Sequence, residues 1–263
     1  MYPTKYHKPT SVADAVAALA AKGEVKILAG GQTLLPTMKQ HLAAPDHLVD
    51  IRAIAGLSAI KATGKTLMIG ATCTHAELAQ NKDVAKLCPA LAALASGIGD
   101  PAVRHQGTIG GSIANNDPAA DYPAAMLALA ATIVTNTREI SADDFFQGQF
   151  TTALEEGEII TAVKIESPSK AAYAKFAQPA SRFALVGVFV AEGAGGVRVA
   201  VTGAGDDGVF RHTGLEEALA GKWSAEAIAD VAVSADDLMS DMHGSADYRA
   251  HLIKVMTKRA LGA

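Results

Sequence analysis

Apolar positions in the first fifty residues switch between two periods. In TSVADAVAALAAKG (residues 10–23), Val12, Ala15, Val16 and Leu19 recur at helical spacing, with Thr10 or Ser11 placed to cap and Gly23 to end the helix. VKIL (25–28) and HLVDI (47–51) are short buried runs of strand type. Between them LPTMKQH predicts a short helix with Pro36 in its first turn. Strands separated by helices predict parallel pairing here.

The pattern then changes. LSAIKA and TLMIGA flank Thr63-Gly64-Lys65, which predicts a hairpin. Thr74 and Glu77 have capping-box spacing ahead of HAELAQ. Residues 83–96 are rich in Ala and Leu and read as helix. TIGGSIANND (108–117) reads as loop, AAMLALAA as helix, and TIVTNT and EIITAVKIES as strands. SPSKAA (167–172) is the expected linker. Beyond it FALVGVFVAEG and GVRVAVTGAG predict a hairpin around GAGG. LEEALAG, SAEAIADVAV and SADYRAHLIKVMTKRAL predict three helices. The expected class is α+β, with a small sheet backed by helices at the C-terminal end.

Composition narrows the function. The 263 residues carry a net charge of −4 with no basic block, which disfavours nucleic acid or an anionic membrane surface as partner. The two cysteines, Cys73 and Cys88, lie outside any metal-ligand spacing and read as small buried hydrophobes. The eight histidines form neither HxH nor HExxH. Asp206-Asp207 and Asp236-Asp237 read as solvated turns, Trp223 as a packing residue, and Met38 and Met239 as gap-fillers. There is no signal-peptide pattern, and the longest apolar runs are too short to span a bilayer, so the cytoplasm is the expected location.

Two glycine turns remain, AGGQT after VKIL and TIGGS. A bound diphosphate needs several N–H donors converging on one place, and glycine permits both close approach and positive φ. Gly30 and Gly31 offer backbone approach, with Gln32 and Thr33 as polar side chains; Thr108, Gly110, Gly111 and Ser112 offer a similar mix of hydroxyls and exposed amides. GxGxxG and GxxxxGK[ST] are both absent, which disfavours a Rossmann dinucleotide site and a P-loop. Asp121 reads either as a cap of the following helix or as an acceptor of ligand hydroxyls.

AGGQTLLPTMK followed by GTIGGSIANNDPAADYPAAMLAL resembles the FAD-binding medium subunit of the molybdenum hydroxylases, the family of the carbon monoxide dehydrogenase medium subunit and the xanthine dehydrogenase FAD subunit. VAVTGAG and SADYRAHLIKVMTKRAL resemble that family's second domain. The resemblance implies a two-lobed FAD-binding domain of the PCMH/vanillyl-alcohol-oxidase-like type over residues 1–167, with lobes of about 1–53 and 54–167, and a C-terminal domain over 173–263. It implies non-covalent FAD gripped by Ala29, Gly30, Gly31, Gln32, Thr33 and Leu34 and by Thr108, Ile109, Gly110, Gly111 and Ser112. Asn115, Asp117 and Asp121 complete the polar contacts, and Ile160 and Phe183 pack on the cofactor. The carbon monoxide enzymes often have histidine where Gln32 stands, many relatives have histidine near Asn116, and Phe183 lacks the hydroxyl of a tyrosine.

The implied function is an oxidoreductase subunit that passes electrons from a partner's iron–sulfur clusters through FAD to an outside acceptor. The implied partners are a molybdenum-cofactor large subunit and a small subunit with [2Fe–2S] clusters, as a dimer of heterotrimers. The alternatives are a self-contained flavin oxidoreductase with its own small-molecule substrate, and a scaffold subunit that has lost its cofactor.

Overall fold

The computed structural model describes residues 1–262. The N-terminal unit is a three-stranded parallel sheet in the order Lys5–His7, His47–Asp50, Val25–Leu28. Its helix Val12–Leu19 is capped by Ser11, whose hydroxyl accepts from the Asp14 amide at 3.1 Å. The buried face of that helix, led by Ala15, closes on Val49, Ile51 and Ile54. Val25–Leu28 ends at the first glycine turn, and Leu34–Lys39 follows it.

The second unit is an antiparallel five-stranded sheet in the order Ile60–Thr63, Thr66–Gly70, Ile160–Glu166, Thr132–Thr135, Glu139–Ser141. Short helices cover it. His75–Gln80 begins with the expected capping box of Thr74 and Glu77. Residues 83–96 form two helices, Lys82–Leu87 and Pro89–Ser96, because Pro89 cannot continue the first. TIGGSIANND is not a loop: Ile109–Asn115 is helical, capped by Thr108 and closed by Asn116 at φ +43°.

The last sheet has four antiparallel strands, Lys170–Ala177, Ala184–Gly193, Gly196–Gly205 and Gly208–Arg211. Lys170 already pairs with Glu192, so the connection is shorter than SPSKAA. Ala184–Gly193 is buried on both faces, which is why it reads as one continuous apolar run. Val186, Val188 and Val190 face the C-terminal helix Ala246–Ala260, whereas Phe189 and Ala191 enter the core of the preceding unit. Each fully buried aliphatic or aromatic side chain of this kind contributes about 2 kcal/mol. SAEAIADVAV is not a helix. It runs as turns in which Ile228 alone is fully buried, so there is no continuing apolar stripe to hold a helix on the sheet.

Helix Asp121–Ala128 is buried along its whole length between the two larger sheets. The loop before it is pinned from the C-terminal sheet. Thr202 Oγ1 donates to the carbonyls of Pro118 (3.0 Å) and Ala120 (2.7 Å), and the Gly203 amide donates to Pro118 O at 2.8 Å. No helix among the described residues is long and apolar enough to cross a membrane.

Candidate functional site

Both glycine turns line one cavity of about 570 Å³. That volume is typical of a small-molecule or cofactor site. The first turn forms one wall and the start of helix Ile109–Asn115 another. They touch directly. A Cβ on Gly30 would fall on the carbonyl oxygen of Gln106 and 2.7 Å from Gly107 Cα, so only glycine fits at that crossing. Gly31 has φ +70°, a conformation in which a side chain is strained.

The two turns differ in what they offer. The amides of Gly30, Gly31, Gln32, Thr33 and Leu34 have no acceptor among the described residues. In the second turn four successive amides are engaged: Ile109 donates to Cys73 O at 3.1 Å, Gly110 to Ala71 O at 2.9 Å, Gly111 to Thr108 Oγ1 at 3.2 Å and Ser112 to Thr108 O at 3.0 Å. Exposed amides were expected on both turns; the first supplies a run of five without acceptors, whereas in the second only that of Thr108 has none among the described residues. The second is drawn tight against Ala71, where a Cβ on Gly110 would meet the Ala71 Cβ at 2.6 Å.

Asn115, Asp117, Asp121, Ile160 and Phe183 also line the cavity, as do Leu34 and Ala29. Ile109 does not. Its side chain is fully buried in the core with Leu78 and Leu91, because position 109 starts a helix whose inner face it occupies. Asn116 is likewise withdrawn: its amide donates to the carbonyls of Gly148 and Thr151 at 2.7 and 2.9 Å.

Asp121 is the most constrained polar group of the wall. It is the first residue of its helix rather than the cap, which is Ala120. Burial pushes its carboxyl above the usual range, and Lys175, with Nζ at 2.9 Å, and the Tyr173 hydroxyl pull against that. Glu158, also on the wall, is held down to about 2 by the Arg138 guanidinium, which reaches its two carboxylate oxygens at 2.9 and 3.0 Å.

Sequence comparison places this chain in a known family. Residues 2–168 match the FAD binding domain in molybdopterin dehydrogenase, and residues 171–263 match the CO dehydrogenase flavoprotein C-terminal domain. The chain belongs to the FAD-binding medium subunits of the molybdenum hydroxylases. It is 36% identical to the carbon monoxide dehydrogenase medium chain of Hydrogenophaga pseudoflava, over 98% of this chain and 96% of that one. It is 35% identical to the nicotine 6-hydroxylase medium subunit of Paenarthrobacter nicotinovorans, over 98% and 95%. The solved carbon monoxide dehydrogenase from Hydrogenophaga pseudoflava, a form lacking the Mo-pyranopterin moiety of the molybdenum cofactor, superposes with a TM-score of 0.90 and 36% identity, covering 99% of this chain and 96% of that one.

The chain is thus an FAD-binding oxidoreductase subunit. A run of free N–H donors beside a glycine crossing with no room for a Cβ is an arrangement able to hydrogen-bond an anion's oxygens. Sequence reasoning missed His75, Arg182 and Glu158 on the wall. His75 was set aside because no metal-ligand spacing surrounds it; its capping-box position beside a glycine turn was the signal available. Arg182 sits at φ +62°, with its guanidinium 3.4 Å from Gly99 O. Nothing in the local sequence marks that position.

Proposed function

We propose that this chain holds FAD non-covalently in the cavity between its glycine turns and serves as the electron-relay subunit of a heteromeric molybdenum hydroxylase. The observation that carries this reading is the run of five unpaired amides, Gly30 to Leu34, on the wall shared by both turns. Ala29 to Leu34 would bind the diphosphate through the main chain. Thr108, Gly110, Gly111 and Ser112 would close its other side by shape and hydroxyls. Asn115, Asp117 and Asp121 would accept from or donate to the sugar-alcohol portion, and Ile160 and Phe183 would pack on the ring systems. When bound, FAD supplies redox chemistry in one- and two-electron steps; the chain binds, orients and shields it.

The relatives are named medium chain and medium subunit, which supports a larger and a smaller companion. We assign the molybdenum cofactor to the large subunit and [2Fe–2S] clusters to the small one, in a cytoplasmic dimer of heterotrimers. The two relatives are named for carbon monoxide and nicotine, in keeping with substrate chemistry on another chain. Of the three wall carboxylates, Asp121 and Glu158 are each tied to a basic partner, and Asp117 accepts from the Ala119 amide.

The test is the absorption spectrum of the purified full chain with added FAD, then reduction of that FAD by co-expressed partner subunits given substrate. A flavin band retained through gel filtration and bleached only with partners present is expected. A colourless chain that fails to retain FAD overturns the reading.

A further inference from the structure

His75 is almost completely buried, yet it is one of the residues that line the cavity. Its main chain is fixed by the Thr74 cap and by its own amide, which donates to Gly107 O at 3.0 Å. Nδ1 lies 3.2 Å from the hydroxyl of Tyr122, a residue with no solvent exposure. That hydroxyl has no other partner among the described residues. A buried phenol is satisfied when it donates, so Nδ1 is the acceptor and the ring proton sits on Nε2. Nε2 has no acceptor among the described residues.

The position of Nε2 gives it a purpose. A Cβ built on Gly107 would lie 2.5 Å from it, and a Cβ built on Gly30 would lie 2.7 Å from Gly107 Cα. The imidazole therefore stands at the crossing of the two glycine turns, behind Gly107 and close to the start of the free amides. Burial, with a smaller contribution from Arg104, lowers the ring to about 4, so it is neutral in the physiological range. A neutral N–H adds a donor without placing a cation in a buried site.

Resting on the FAD reading, we propose that His75 is a ligand-binding residue whose Nε2–H donates to a diphosphate oxygen, completing the cradle begun by the Gly30–Leu34 amides. Tyr122 fixes the tautomer that makes this possible. The proposal explains why the second turn can spend its Ile109–Ser112 amides internally: a side-chain donor from the neighbouring helix replaces them.

The experiment compares the full-length wild type with His75→Leu, which keeps bulk and loses the donor, and His75→Gln, which keeps an N–H. FAD affinity is measured by fluorescence titration, and inorganic diphosphate is used as a competitor. The expected result is FAD affinity at least tenfold weaker for His75→Leu, diphosphate competition weakened by a similar factor, and His75→Gln close to wild type. Unchanged FAD affinity in His75→Leu overturns the proposal. So does a loss of FAD affinity with diphosphate competition unchanged, which would place the ring against another part of the ligand. Should His75→Leu fail to fold, ¹⁵N spectra of the wild-type ring decide. Diphosphate should shift Nε2, and a ring unmoved by it overturns the proposal. A wild type that binds no FAD at all defeats the functional reading instead, and is told apart by that.

Discussion

Lys175 Nζ lies 2.9 Å from Asp121 Oδ1, joining the first strand of the C-terminal sheet to a carboxylate on the cavity wall. Both side chains are nearly buried, and Nζ has no well-aligned hydrogen-bond acceptor despite the close ion pair. Removing one partner of such a pair leaves a buried charge uncompensated. Lys175→Met is expected to lower unfolding free energy by about 3 kcal/mol. The double variant Asp121→Asn, Lys175→Met should recover much of the loss. Denaturant titration of the single and double variants checks both outcomes, and additive losses would contradict them.

Gly111 offers a separation of stability from binding. A Cβ there would meet Thr108 Oγ1 at 2.9 Å and otherwise only Ala29 Cβ at 3.9 Å, both on residues that line the cavity. Alanine raises helix propensity by about 1 kcal/mol, against some crowding of the cap. Gly111→Ala is expected to stay within about 1 kcal/mol of wild-type stability, while FAD affinity falls about tenfold. Thermal unfolding of the cofactor-free chain, together with FAD titration, tests the split.

Acid stability should depend on Glu158 and Asp50. Hydrogen bonds from Arg138 hold Glu158 at about 2 against its usual 4.5. At Asp50 burial pushes the carboxyl up, but hydrogen bonds from Arg52 and Tyr6 outweigh it and bring it from 3.8 to about 2. A carboxylate depressed on folding stabilises above its unfolded value, and that contribution is lost as pH falls toward the folded one. The urea midpoint should therefore drop between about pH 4.5 and 2. Glu158→Gln should be less stable at neutral pH and show a flatter acid limb. An acid limb identical to wild type would contradict the assignment.

Cys73 and Cys88 are free and buried, and burial pushes their thiols up to about 12 and 11. The thiolate is the reactive form, so neither is expected to react with a thiol reagent at pH 8 in the native chain. Two equivalents should react after unfolding. Rapid reaction of either in the native state would show that the core around helices Lys82–Leu87 and Pro89–Ser96 opens locally.

Much of the site was readable because its chemistry is written in backbone constraints. The pairs Gly30-Gly31 and Gly110-Gly111, the capping box at Thr74, and strands VKIL and HLVDI each announce themselves within a few residues. What escaped depends on distant partners. Ile109–Asn115 contains two glycines in its first turn and reads as loop by propensity; contact with Ala71 and the Thr108 cap hold it helical. SAEAIADVAV has good helix formers, but only Ile228 finds a buried place. That Ile109 and Gly110 have no free amide, unlike Gly30 and Gly31, depends on the carbonyls that lie opposite them, and those of Cys73 and Ala71 are some forty residues away in the chain.

Phe189 and Ala191 lie in the core of the preceding unit while their neighbours Val188 and Val190 pack against the last helix. One strand thus keys two hydrophobic cores at once. Grafting the C-terminal third of a relative onto this chain would replace half of a lock along with its tenon. Such chimeras should assemble only when the aromatic at 189 and the bed it enters are exchanged together, so that divergence among these subunits is constrained to proceed in matched steps across the seam.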